Sequence, residues 1–331
     1  MSSFEDRIDS ELRSAFDATP DGAVDLSDIP LARARLARMA AGGPEYEFPP
    51  EIEVNDHHVT LDDGHQLWLR SYAPPAAARD LGALYYMHGG GMVLFDLTAS
   101  DALCAIIARN LDVVVVSVDY RIAPEHPDPT PVEDCYAGLA WLFGAADEFG
   151  IDRSRVAIGG ASAGGGLAAG LALLARDRGA FAPCFQLLTF PMIDDSNTTN
   201  SSHYVLSDRV WNRDANIIGW NAYLSGRAGG DDVSIYAAPS RADDVSDLPP
   251  AIITVGDLDL FLDENIEYAQ RLLAAGVPTE LHVYRGAYHG CQRGSPDSAL
   301  VRRWRHDEFG ALARAINPGH NIERSPTCPN S

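Results

Sequence analysis

Short apolar, β-branched runs alternate along this chain with longer stretches whose apolar positions recur at helical spacing. The pattern predicts an α/β protein, with a mostly parallel sheet flanked by helices and strands at 84–87, 113–118, 156–158, 185–190, 251–255 and 280–284. The run 113–118 is continuously β-branched, as expected of a strand buried on both faces. Upstream, "HHVTLDDGHQLWLRSY" alternates on both sides of Asp62, Asp63 and Gly64, a hairpin pattern that predicts two antiparallel edge strands. Helices are predicted near 98–109, from Thr130 onward, and over an alanine- and leucine-rich stretch ending near Gly179. Thr130 is expected as N-cap, with Pro131 at the first helical position and Glu133 completing a capping box.

Two stretches break the alternation. Residues 1–45 look helical, and 194–232 is an insertion rich in Asn, Asp, Ser, Trp and Tyr. A long insertion in a compact domain is commonly a functional lid, so both are expected to form a helical cap. The core would then comprise 46–193 and 233–317, leaving 318–331 as a disordered tail. At 331 residues, one main domain with a cap is the expected organisation.

Charge narrows the possible partners. The net charge is −22, from 47 acidic against 25 basic residues, and every basic residue is arginine. Such a surface repels nucleic acid and anionic lipid, so neither is expected as a partner. The five cysteines have no C-x-x-C or zinc-like spacing and read as reduced thiols, and no metal or organic cofactor is expected. The N-terminus lacks the apolar core of a signal peptide, and no apolar run is long enough to span a bilayer. A cytoplasmic protein is therefore expected.

The chemistry lies in two glycine-rich stretches. "GASAG" at 160–164 fits G-x-S-x-G with a strand before it and a helix after it, where a tight turn would hold Ser162 at the carboxyl edge of the sheet. Tiny flanking residues are required there, and Gly160 and Gly164 supply them. "HGGGM" at 88–92 spends three glycines directly after a strand. Attack by Ser162 on an acyl carbonyl creates an oxyanion, which needs N–H donors with no side chain in the way. Gly90, Gly91 and Ala163 are the expected donors, and His88 is expected to brace the loop rather than act as a base.

A serine nucleophile needs a base and the base an orienting carboxylate. Downstream of Ser162 lie His203, His282, His289, His306 and His320; only His289, in "RGAYHG" after the last strand, is well placed to reach the serine. For the carboxylate, "TVGDLDLFLDEN" offers Asp257 and Asp259 close to the strand end, and position alone leaves both open. Asp263 and Glu264 read as first-turn helix residues favoured by the macrodipole.

With these residues in view, the chain resembles the hormone-sensitive lipase family of α/β-hydrolase esterases. HGGG, "DYRIAPEHP", the serine elbow, "DLFLDE" and "YHG" match that family's blocks in order, over about 53–316. The segments "GGGLAAG" and "DVSIYAAPSRADDVSDLPP" look especially like a bacterial heroin esterase-like branch. The resemblance implies that the triad carboxylate is Asp259, the first acid of the D-x-x-x-D-E block. It also makes a homodimer an assembly to test. Three departures stand out: Ala161 replaces a polar residue and forfeits its hydrogen bond, Leu260 replaces a proline and is expected to loosen its turn, and Met92 replaces an aromatic in the pocket wall.

The function expected is a serine carboxylesterase for short- to medium-chain or compact esters, acting through an acyl-enzyme. Apolar candidates for the pocket are Met92, Val93, Leu94 and Phe95, then Tyr204, Val205, Leu206 and Trp211 from the cap, and Phe261. A lactonase or amidase would use the same machinery, and a catalytically silent small-molecule receptor is the rival from another class.

Overall fold

The computed structural model describes residues 4–42, 46–75, 80–205 and 207–319. Among these residues the sheet has eight strands: β1 (Glu53–Thr60), β2 (Gln66–Ala73), β3 (Leu81–Met87), β4 (Val114–Asp119), β5 (Ile151–Ala161), β6 (Phe185–Thr189), β7 (Ala251–Leu258) and β8 (Thr279–Tyr288). Their spatial order is β1-β2-β4-β3-β5-β6-β7-β8. β1 and β2 form the predicted antiparallel hairpin, with Thr60 opposite Gln66, and β2 lies antiparallel to β4. All pairings from β4 through β8 are parallel.

The helices are α1 (Ser10–Ala18), α2 (Ile29–Gly42), α3 (Asp101–Leu111), α4 (Thr130–Phe149), α5 (Ala163–Arg178), α6 (Arg213–Tyr223), α7 (Leu262–Ala274), α8 (Cys291–Gly294) and α9 (Ala299–Ile316). Burial on both sheet faces explains the β-branched run. Val114, Val116 and Val118 join one apolar cluster, while Val113 and Val115 join another with residues of α3 and α9. Neighbouring β3 divides the same way, Ala83, Tyr85 and Met87 to one face and Leu84 and Tyr86 to the other. This is the period-two alternation of a strand covered on both sides.

Several local expectations change in the folded chain. The region near 98–109 is a short 3₁₀ turn (Leu97–Ser100) running into α3. Helix α4 begins one residue earlier than expected: Pro129 is the N-cap, Thr130 is already helical and makes no capping bond. The carbonyl of Pro129 accepts from Glu133 N–H, and the Glu133 side chain pairs with Arg178 instead of closing a capping box. The insertion 194–232 contains α6, capped by the Asn212 side chain accepting from Ala215 N–H. It touches the N-terminal segment, where Val24 N–H donates to the Asp208 carbonyl and Arg209 pairs with Asp21. Residues 320–331, most of the expected tail, lie outside the described residues.

Candidate active site

Ser162 stands between β5 and α5, at the carboxyl edge of the sheet. Its φ of 58° and ψ of −121° lie where a side-chain-bearing residue is strained, and the surroundings hold it there. Ser162 N–H donates to the Thr189 carbonyl at 2.9 Å, while its own carbonyl accepts from Gly166 and Met192. The flanking glycines are obligatory: a Cβ on Gly160 would lie 2.3 Å from the Gly164 carbonyl oxygen, and one on Gly164 would lie 2.1 Å from that of Met87.

The β8 strand runs to Tyr288, so His289 emerges directly from the sheet edge. Its Nε2 is 3.0 Å from Ser162 Oγ and its Nδ1 is 2.8 Å from Asp259 Oδ2. The other oxygen, Asp259 Oδ1, accepts from Phe261 N–H at 3.0 Å. Asp259 is buried, which strengthens each of these contacts. Asp257, two residues earlier on the strand, points elsewhere: it accepts from Gly286 N–H and pairs with Arg7. His282 faces Glu280 and Asp307, and His203 and His306 sit in the 201–203 turn and α9.

The glycine loop after β3 starts against this serine, where a Cβ on Gly89 would lie 3.3 Å from Ser162 Cβ. A Cβ on Gly91 would lie 2.0 Å from the Trp211 ring. Among the described residues, no carbonyl or side chain accepts from the N–H of Gly90, Gly91 or Ala163. His88 is buried and stacked on Tyr120, with Nδ1 2.8 Å from the Gly89 carbonyl, as expected of a brace. Burial pushes its imidazole down to about 4, so it is neutral near pH 7.

Of the apolar pocket candidates, Phe261 and Trp211 lie beside the imidazole, at ring separations of 5.2 and 6.5 Å. Met92, Val93, Leu94 and Val205 are buried in the main apolar cluster, Phe95 packs against it, and Tyr204 is exposed. Leu206 lies outside the described residues. Phe190, which was not singled out in the sequence, meets His289 edge-on at 4.7 Å. It directly follows β6, and a residue's place after a neighbouring strand was the one signal that could have pointed to it.

The D-x-x-x-D-E block does more than its helix-start reading suggested. Glu264 is buried and accepts from Ile193 and Asp194 N–H, and burial pushes its carboxyl well above the usual range. Asp263 accepts from Ser201 N–H, and Ser201 Oγ donates to the Leu260 carbonyl. The turn bearing Leu260 is thus held without the proline, by those bonds and by Leu262 N–H to the Asp259 carbonyl. Among the described residues no group of three or more His, Cys, Asp or Glu side chains could hold a metal ion. Their four cysteines are free thiols. No helix of the described residues is long and apolar enough to cross a membrane.

Residues 84–293 match a family described as alpha/beta hydrolase fold. The chain is 36% identical over 291 residues to Esterase LipI of Mycobacterium tuberculosis, covering 86% of this chain and 87% of that protein. It is 33% identical to an arylesterase of Saccharolobus solfataricus, over 75% of this chain and 79% of that one. The solved structure of a bacterial heroin esterase superposes with a TM-score of 0.89 at 39% identity, covering 94% of this chain and 99% of that one.

Proposed function

This chain belongs to the α/β-hydrolase family, in its hormone-sensitive-lipase-like branch, and we propose that it hydrolyses carboxylic esters through Ser162, His289 and Asp259. It is a serine ester hydrolase. His289 takes the Ser162 proton as Oγ attacks the ester carbonyl, and Asp259 orients the imidazole and stabilises its cation. The developing oxyanion is met by the N–H groups of Gly90, Gly91 and Ala163. His289 then protonates the departing alcohol. A water activated by the same base attacks the acyl-enzyme, releasing the acid and returning the proton to Ser162.

The observation that carries this reading is the unbroken chain from Ser162 Oγ through His289 to Asp259, beside three N–H groups without an acceptor among the described residues. Residues 1–45 and 194–232 act as a cap, and the aromatic wall of Trp211, Phe261 and Phe190 favours compact or short- to medium-chain acyl groups. The acidic surface and free thiols support action in the cytoplasm on a small-molecule ester, without nucleic acid or membrane as partner.

Hydrolysis of p-nitrophenyl esters from acetate to palmitate by the wild type and by Ser162→Ala tests this. The expected result is a rate maximum at the shorter chains and a loss of at least about a thousandfold in the variant. A folded wild type that turns over none of the series would overturn the ester-hydrolase reading and move attention to lactones and amides.

A further inference from the structure

We propose that Arg33, on helix α2, is a positioning residue for the oxyanion loop, so that docking of the N-terminal segment holds Gly90 and Gly91 in their working geometry. The proposal rests on the ester-hydrolase reading of the site. Loop 88–95 is conformationally expensive: Gly90, Gly91, Met92 and Phe95 all have positive φ, and for Met92 and Phe95, at 66° and 69°, that conformation is strained. Inside the loop, the Gly90 carbonyl accepts from Val93 and Leu94 N–H at 3.1 and 2.9 Å, closing one tight turn. Such a turn stays where it is only if its surroundings over-determine it.

Tyr120 Oη holds the loop's start by donating to the His88 carbonyl at 2.6 Å and Arg293 lies over the Phe95 ring, while two further outside contacts grip the carbonyls of the turn itself. Ala123 N–H donates to the Met92 carbonyl at 2.9 Å. Arg33 Nε donates to the Val93 carbonyl at 2.8 Å, and Arg33 Nη2 donates to the Ala123 carbonyl at 2.6 Å. One guanidinium therefore joins the oxyanion loop to the segment that also grips it. The fork is oriented in turn by Glu125, whose carboxylate oxygens accept from Nη1 at 2.8 Å and Nη2 at 3.0 Å. A planar fork satisfies these partners at fixed angles, which a lysine ammonium does not. Helix α2 delivers the side chain from sixty residues away in sequence, with Ala32 buried and Ile29 and Leu36 packed on the main core.

A merely structural Arg33 would lower the melting temperature and leave turnover of the folded enzyme alone. A positioning Arg33 would change how well the transition state is held. The experiment compares kcat, KM, Tm and the inhibition constant of phenylboronic acid, which forms a tetrahedral adduct with the serine, for the wild type, Arg33→Ala, Arg33→Lys and Glu125→Ala. Well below each Tm, Arg33→Ala is expected to lose roughly tenfold to a hundredfold in kcat with KM within about twofold, less than the loss of a whole oxyanion donor. Boronate affinity is expected to weaken in parallel. Arg33→Lys keeps the charge beside Glu125 without the fork and is expected to lose at least about fivefold in kcat at near-wild-type Tm, so it carries the test if Arg33→Ala does not fold. Glu125→Ala keeps the donors to Val93 and Ala123 but removes the carboxylate that orients the fork, and is expected to lose kcat in the same direction as Arg33→Ala and by less. Wild-type kcat and boronate affinity in folded Arg33→Lys would overturn the proposal. A wild type without esterase activity would instead overturn the reading of the site beneath it.

Discussion

Ser162 and His88 make opposite demands on the same corner of the sheet. The serine needs a strained backbone and glycine neighbours, both of which are written locally in the G-x-S-x-G pattern and its strand-to-helix context. His88 needs a dry pocket, and its cost appears only on folding. With the folded imidazole held near 4 by burial and an ordinary value of 6.5, the unfolded chain binds a proton between those pH values that the folded chain refuses. Stability therefore falls as the pH drops from about 6.5 toward 4, by up to about 3 kcal/mol from this residue. Thermal unfolding of the wild type and His88→Asn across pH 4 to 7 checks the sign: the wild type should lose Tm more steeply on acidification. Equal slopes would mean that His88 is not the group responsible. The choice between Asp257 and Asp259 also belongs to this scale. Both lie at the end of the same strand, Asp257 among its last residues and Asp259 just past it, and residue order alone could not separate them. The family's D-x-x-x-D-E block points to Asp259, and the folded chain agrees, with Asp257 accepting from Gly286 N–H and Asp259 set against His289 Nδ1.

Secondary-structure elements were legible in kind and less so in extent. The β-branched run of β4 and the alternation of the β1–β2 hairpin reflect burial that any sheet of this type imposes, so the pattern identifies them. Strand ends depend on neighbours: β5 begins at Ile151 and β8 reaches Tyr288, well beyond their most apolar cores, because adjacent strands offer hydrogen-bond partners there. At the start of α4, Glu133 pairs with Arg178 of α5 instead of closing a capping box. The same helix is tied to the loop after β4 by a buried ion pair. Asp134, 1% exposed, accepts from Arg121 N–H, Nε and Nη2 at 2.7 to 3.0 Å. Removing the carboxylate takes away three charge-assisted hydrogen bonds and leaves the guanidinium only the exposed Asp63, so Asp134→Ala should cost about 1.5–3 kcal/mol. A urea titration would read this as a lower midpoint at unchanged slope. A loss below about 1 kcal/mol would show that Arg121 is held by Asp63 alone.

Across the whole molecule, the excess of acid dominates. Arg70, Arg121 and Arg241 each lie against one or more carboxylates, yet a charge of −22 leaves many acidic groups without a cation. Exposed pairs contribute little individually, while like charges repel across the surface. Raising sodium chloride from about 10 mM to 150 mM shortens the screening length from roughly 30 to 8 Å and should raise Tm by several degrees. A fall in Tm over that range would mean that the ion pairs outweigh the repulsion.

By itself the sequence determined the α/β class, the nucleophile elbow, the glycine loop and the histidine after the last strand. Each depends on residue type and near neighbours: a clash-free turn, a bare N–H, a strand end. Tertiary structure alone decided that Phe190 flanks His289, that Glu264 and Ser201 secure the insertion to the Asp259 turn, and that Arg33 reaches the carbonyl of Val93, and it placed Asp259, which the family pattern had indicated, against His289. Those contacts join residues 30 to 99 positions apart. Their pairing follows from packing geometry in three dimensions, which no local pattern of side chains encodes.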